Sequence, residues 1–171
     1  MTGHQTSPQP SVTPIPLLAG LRTLVAGAVK EFRALQHHVG PFSILLNAGK
    51  SYLAAGRIDQ AIDYARETLA LARRRGAPGL EAPALSLIAD IITASGAENA
   101  EGYYREALAL AEPRGMRPQV AHCHFGLGKL HRRRGDPEQA RNRHTTAMAM
   151  YREMGMTYWL EQAEGELRQL G

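Results

Sequence analysis

The 171-residue sequence has little cysteine, few aromatic residues and no long apolar run. Its single cysteine, Cys123, cannot form an internal disulfide, which excludes a disulfide-stapled domain. No run approaches the ~20 apolar residues that cross a bilayer, and the first residues lack the basic-then-apolar order of a secretory signal. The net charge of +4 does not by itself indicate a nucleic-acid partner, because the aromatic residues, 6% of the chain, are not interleaved with the basic ones in the way that stacks bases. We therefore expect a cytoplasmic protein with no membrane or nucleic-acid partner.

Proline is concentrated at the start of the chain, where it prevents a regular helix or strand. The four prolines are Pro8, Pro10, Pro14 and Pro16. This pattern predicts a disordered tail over residues 1–16 and a folded domain over residues 17–171. From Leu17 onward the common residues are Ala, Leu, Arg and Glu, which are strong helix formers, so the domain is expected to be all-α.

Glycines recur at a fixed period. One row is Gly56, Gly96 and Gly135, spaced by 40 and 39 residues, and a second row is Gly76, Gly115 and Gly155, spaced by 39 and 40. Each follows an amphipathic segment and suits the left-handed conformation that ends a helix. The period therefore predicts a repeated unit of a helix, a tight turn and a second helix.

The three units carry small, bulky and aromatic residues in one register. They are Ala48, Gly49, Tyr52 and Ala61 in the first, Ala89, Ile92, Ala100, Tyr104 and Ala107 in the second, and Leu127, Gly128, His131, Ala140, His144 and Ala147 in the third. In this register the chain resembles the tetratricopeptide repeat family, although the first unit departs at Ala65 and Thr68 and the second lacks one residue in its internal turn.

The resemblance implies a right-handed superhelix of helical hairpins, with repeats over about residues 42–76, 81–115 and 119–155. A further helix is expected within "LAGLRTLVAGAVKEFRALQHH", before the first repeat. Residues 156–170 are expected to form a capping helix whose apolar face contains Trp159, Leu160, Ala163 and Leu167 and whose other residues, including Glu166, are solvated.

A narrower resemblance lies in the last third of the chain. The stretches "GMRPQVAHCHFGLGKLHRRRGDPEQA" and "MYREMGMTYWLEQAEGEL" are similar to the C-terminal repeats of multidomain bacterial class III adenylate or guanylate cyclases that also contain an ATPase domain. That resemblance implies a separately encoded relative, or the remnant of a larger regulator. No cyclase aspartates or ATPase phosphate loops have a counterpart in this sequence.

Gly49-Lys50-Ser51 matches the end of a phosphate-binding loop, but the glycine required five residues earlier is replaced by Ile44. We expect Gly49 to lie inside a helix, where a small residue lets a neighbouring helix approach. The sequence thus predicts no nucleotide site.

Histidine is the other candidate for chemistry. His124 and His131 are seven residues apart, and His144 occupies the helix that packs against theirs, so three imidazoles could converge on a metal. A tetrahedral zinc site needs a fourth ligand, which favours these histidines as core fillers; a pH-sensitive seam is the remaining alternative. Cys123 is expected to be an unreactive, partly buried thiol.

The carboxylates offer no catalytic arrangement. Six glutamates (Glu67, Glu106, Glu112, Glu153, Glu161 and Glu164) lie on arginine-rich helix faces and are expected to form solvated pairs four residues apart. We therefore expect a protein that is not an enzyme and needs no cofactor.

The family resemblance implies a groove lined by the first helix of each unit, which binds a protein or peptide. The residues at its groove-facing positions are Lys50, Asp90, Thr93, His122, Phe125, Lys129, Arg132 and Arg133. Eight Lys or Arg against two acids between Pro113 and His144 favour an acidic partner. The leading hypothesis is a scaffold or adaptor in bacterial signalling or regulation. The alternatives are self-association as a homodimer and a histidine-based metal or pH sensor.

Overall fold

The computed structural model describes Gly27 and residues 40–170. Residues 40–170 contain seven α-helices and no strand, which confirms the all-α prediction for this part of the chain. The helices are α1 (Gly40–Ala54), α2 (Ile58–Arg74), α3 (Pro78–Ser95), α4 (Ala100–Ala111), α5 (Arg117–Arg133), α6 (Pro137–Glu153) and α7 (Thr157–Arg168). A 3-10 turn, Glu112–Arg114, joins α4 to α5. The expected disordered tail lies outside the described residues, and so does the expected helix before the first repeat apart from Gly27, which is helical.

The helices form three consecutive hairpins, α1–α2, α3–α4 and α5–α6, followed by the single helix α7. Each helix packs against the next one in sequence, and the first helices of successive hairpins also contact each other, α1 with α3 and α3 with α5. All seven belong to one compact unit, His38–Gly171. The first helices therefore line up side by side and build a common surface.

The turns follow the glycine rows. All six glycines of the two rows have φ between +57° and +75°, the left-handed region that a β-carbon disfavours, so the predicted helix ends are confirmed. The start of α6 also follows its sequence signals. Asp136 caps it by accepting a hydrogen bond from the Gln139 backbone N–H at 3.0 Å, and Pro137 occupies the first turn.

The second hairpin shows the effect of its missing residue. Its second helix, α4, has 12 residues, whereas α2 and α6 each have 17. Asn99, just before α4, adopts φ +75°, and it is the only residue other than glycine with a positive φ in the described part. α4 begins four residues after Gly96, whereas α2 and α6 begin two residues after Gly56 and Gly135, and its other end is shortened by the 3-10 turn Glu112–Arg114. At this late start Asn99 occupies the left-handed region, which asparagine tolerates better than most residues.

Small residues allow the helices to approach closely. A β-carbon at Gly49 would lie 2.9 Å from Leu87 Cδ2, and one at Gly128 would lie 2.5 Å from His144 Cε1. Alanines with no exposed surface occupy equivalent contacts, among them Ala89. The predicted reason for Gly49, close packing of a neighbouring helix, is confirmed.

The charged residues pair between helices rather than along them, which corrects one expectation. Arg73 binds Glu106 at 2.9 Å, Arg117 binds Glu153, and Arg152 binds Glu164 at 3.7 Å. The one ion pair with a spacing of four within the described residues joins Arg105 to Glu101. The arginines are long enough to reach a carboxylate on another helix, and Glu101 pairs both with Arg105 of its own helix and with Arg134.

Candidate functional site

The first helices of the hairpins line a groove of about 450 Å³. Residues from α1, α3 and α5 form it, together with one residue of α7. They are Lys50, Leu53, Ala54, Pro83, Ser86, Leu87, Asp90, Ala94, Gln119, His122, Phe125, Lys129 and Trp159. Five of the eight predicted site residues are among them: Lys50, Asp90, His122, Phe125 and Lys129.

Asp90 lies at the middle of the groove, on α3. Its carboxylate accepts a hydrogen bond of 2.6 Å from the hydroxyl of Tyr104, a fully buried residue of α4. Burial raises the pKa of the Asp90 carboxyl, while the charge of Lys129, the Tyr104 hydrogen bond and the charge of Lys50 act in the opposite direction. The hydrogen bond fixes the carboxylate against α4, so its position does not depend on a ligand.

Two lysines flank Asp90, one on each neighbouring helix. Lys50 is exposed on α1, and the Lys129 ammonium on α5 lies 4.8 Å from the centre of the Phe125 ring. Neither lysine has an ion-pair partner within 4.0 Å among the described residues, whereas most arginines nearby are paired. The two ammonium groups are therefore the available cations of this surface.

The rings of His122, Phe125 and Trp159 form an aromatic wall at the end of the groove next to α7. The ring of Trp159 lies 4.6 Å from His122 and 6.2 Å from Phe125, measured between centroids. His122 Nδ1 is 2.7 Å from the Tyr151 hydroxyl, a hydrogen-bond distance. Burial, with the charges of Lys50 and Lys129, lowers the pKa of His122 to about 4, so its ring is neutral near pH 7. The expected packing of Trp159 on the third repeat is confirmed, and Trp159 also lines the groove.

Phe125 is only 8% exposed, so it mainly packs behind Trp159 and His122 and offers little surface for contact with a ligand.

The structure places three predicted residues outside the groove lining. Thr93 is buried. Arg133 donates to the backbone carbonyls of Thr93 and of Ala94, the latter at 3.1 Å, and so satisfies the C-terminal end of α3. Arg132 binds Glu166 of α7 at 3.1 Å and also donates to Gln169. Glu166, expected to be solvated, instead has a side chain that is 20% exposed and holds α7 to α5.

The basic count between Pro113 and His144 overstates the positive field at that end. Arg114 donates to the Leu110 carbonyl at 2.7 Å, and Arg134 binds Glu101 at 2.8 Å. Together with the pairs of Arg117, Arg132 and Arg133, most of the eight basic groups are engaged within the fold. The positive charge that faces the groove comes from Lys129 and, on another hairpin, from Lys50.

Several groove residues were missed from the sequence. Leu53, Ala54, Pro83, Ser86 and Ala94 occupy the same register positions as the predicted ones, so applying those positions to every unit would have found them. Gln119 carries no such signal. Its amide donates to Ser86 Oγ at 2.7 Å, a contact between α5 and α3 that only the folded chain brings together.

The other candidate sites are resolved by their surroundings. Gly49-Lys50-Ser51 lies within α1, not on a strand-to-helix loop. His124 Nδ1 lies 3.3 Å from Arg143, and His144 is fully buried against Gly128 and Phe125. No group of three His, Cys, Asp or Glu that could hold a metal ion occurs in the described part.

Cys123 is buried, beyond the partial burial expected. Burial raises the pKa of its thiol to about 12, which keeps it protonated.

Comparisons with known proteins agree with this architecture. Residues 80–153 match the family model described as tetratricopeptide repeat, which covers α3 to α6. A crystal structure described as the apo form of RapI superposes with a TM-score of 0.70 at 13% sequence identity, over 86% of this chain and 54% of that one. The chain thus corresponds to about half the length of that structure.

No curated protein matches the sequence. The predicted resemblance to cyclase–ATPase regulators therefore has no support from these comparisons. No helix in the described residues is long and apolar enough to span a membrane. The repeat match and the stacked hairpins confirm the predicted tetratricopeptide-like fold.

Proposed function

We propose that this chain is a non-enzymatic interaction module that holds a peptide segment of another protein in the groove between α1, α3, α5 and α7. Tetratricopeptide domains generally act by binding proteins or peptides, and the repeat match covers the two hairpins that supply most of the groove. We further propose that the module acts in the cytoplasm, as the composition of the sequence led us to expect, and in bacterial signalling or regulation.

The observation that carries this proposal is the contrast between the lysines and the arginines. Arginines around the groove bind carboxylates and helix carbonyls of the fold. Lys50 and Lys129 face the groove and have no ion-pair partner among the described residues. Cationic side chains beside an aromatic wall suit a segment that carries both carboxylates and apolar groups.

The test is a selection from a random peptide display library against the full chain, followed by affinity measurement of synthetic peptides by calorimetry. We expect peptides that bind the parent and lose at least fivefold in affinity to the double variant Lys50→Glu, Lys129→Glu, since each lysine turns from attraction to repulsion.

The matched control is Arg66→Glu, Arg141→Glu, which makes the same change of charge at exposed positions of α2 and α6, away from the groove lining. Equal affinity of the selected peptides for the parent and the lysine double variant would show that the groove is not the binding surface.

A further inference from the structure

The three charged residues of the groove occupy one register position in three successive hairpins. Lys50, Asp90 and Lys129 are 40 and 39 residues apart, and they lie on α1, α3 and α5, which contact each other in that order. The groove therefore carries a row of alternating charge, positive, negative and positive, which crosses the helices.

The middle of this row differs from its ends in rigidity. Asp90 is fixed by its 2.6 Å hydrogen bond to buried Tyr104, while the lysine ammonium groups stand on long flexible stems. A purely acidic ligand, which the count of basic residues alone would favour, meets a fixed negative charge at the centre. Like charges at that point disfavour it, whereas a cation on the ligand finds an oriented acceptor.

Resting on the proposed function, we infer that the groove selects a peptide with a basic residue midway between two acidic residues, each three positions away. Packed helices lie about 8–10 Å apart, so adjacent charges of the row are separated by roughly that distance. A polyproline II segment places every third side chain on the same side and rises about 3.1 Å per residue, which gives about 9 Å for three residues. An acid-x-x-base-x-x-acid segment in this conformation thus matches the row, and its symmetry makes the match independent of chain direction.

Three synthetic peptides test the pattern: Glu-Pro-Ala-Lys-Pro-Ala-Glu and the same sequence with Gln or Glu in place of Lys. Proline favours the extended conformation and keeps it constant across the set. At low ionic strength we expect the Lys peptide to bind the full chain at least about two- to fivefold more tightly than the Gln peptide, the range of one weak ion pair at a protein surface. The Glu peptide should bind more weakly than both.

Asp90→Asn is the matched variant, because its side-chain carbonyl still accepts the Tyr104 hydrogen bond while its charge is gone. We expect the Lys and Gln peptides to bind this variant equally. Asp63→Asn, which removes a charge at an exposed position of α2, should keep the parent's preference.

The inference is overturned if the parent shows no preference for the Lys peptide, if Asp90→Asn retains that preference, or if none of the three peptides binds. In each case the proposed function stands, provided that peptides from the library still lose affinity to the lysine double variant. If those peptides bind that variant as tightly as the parent, both proposals fail.

Discussion

His144 should make the stability of this domain depend on pH from about 6.5 downward, a range that begins above the pKa of an ordinary carboxylate. Its ring is fully buried against Gly128 and Phe125, and neither ring nitrogen has a hydrogen-bond partner within the described part of the chain. Burial, reinforced by the charges of Arg132 and Lys129, lowers its pKa from an ordinary value of 6.5 to about 4. The folded state therefore holds the neutral ring, whereas the unfolded chain takes up a proton below pH 6.5.

The sign and size follow from proton linkage. The contribution is fully present above pH 6.5 and is lost as the pH falls from 6.5 toward 4, with a total of about 3 kcal/mol in the free energy of unfolding. Between pH 7.5 and pH 5.0 the loss due to this one residue is about 2 kcal/mol.

The perturbation is His144→Leu, which has nearly the same volume and no group that titrates. Urea denaturation at pH 7.5 and pH 5.0 should show that the variant loses about 2 kcal/mol less stability than the parent over this interval. His131→Leu, at a position that is partly exposed, is the control and should change the pH dependence much less. If the parent and His144→Leu lose the same stability between the two pH values, the buried neutral ring is not the cause.

Two further predictions concern packing. Trp159→Ala should lower the free energy of unfolding by about 2–3 kcal/mol, less than the loss of a fully buried aromatic side chain, because Trp159 is half-buried. Tyr158→Ala, at a side chain that is 62% exposed, should change it by no more than about 0.5 kcal/mol. Equal melting temperatures of the two variants would show that α7 does not act as a cap. Gly128→Ala should destabilise the domain by about 1–3 kcal/mol, because the added β-carbon would collide with the His144 ring. Gly102→Ala should stabilise the domain by about 0.5–1 kcal/mol, because nothing lies within 4 Å of the added β-carbon. Melting temperatures that rank the two variants in the opposite order would contradict this packing.

Much of the fold could be read from the sequence because its signals are local. A left-handed glycine commonly ends a helix at a tight turn, and here the two rows of Gly marked every turn from Gly56 to Gly155. The cap formed by Asp136 and Pro137 is likewise set by neighbouring residues. The late start of α4 could not be predicted, because a missing residue can be accommodated at several positions of the hairpin. Only the conformation of Asn99 shows which position it is.

Only part of the groove could be predicted, because some of its contacts join residues that are far apart in the sequence. Register identified Lys50, Asp90 and Lys129, because equivalent positions of a repeat face the same way. Register could not show that Arg132 and Arg133 bind partners within the fold. Those partners, Glu166 and the carbonyls at the end of α3, are more than 30 residues away in the chain. The reach of a side chain to a distant segment depends on how the hairpins stack, and no local pattern contains that information.

The arginines that bridge hairpins make the array a chain of nearest-neighbour couplings. Arg134, just after α5, binds Glu101 on α4, and Arg133 closes the carbonyl end of α3, so the second hairpin is held by residues of the third. In a linear array the stability of a unit is the sum of its own term and of its interfaces with adjacent units. Melting of the third hairpin therefore also removes these contacts from the second, so the stabilities of the two hairpins are coupled.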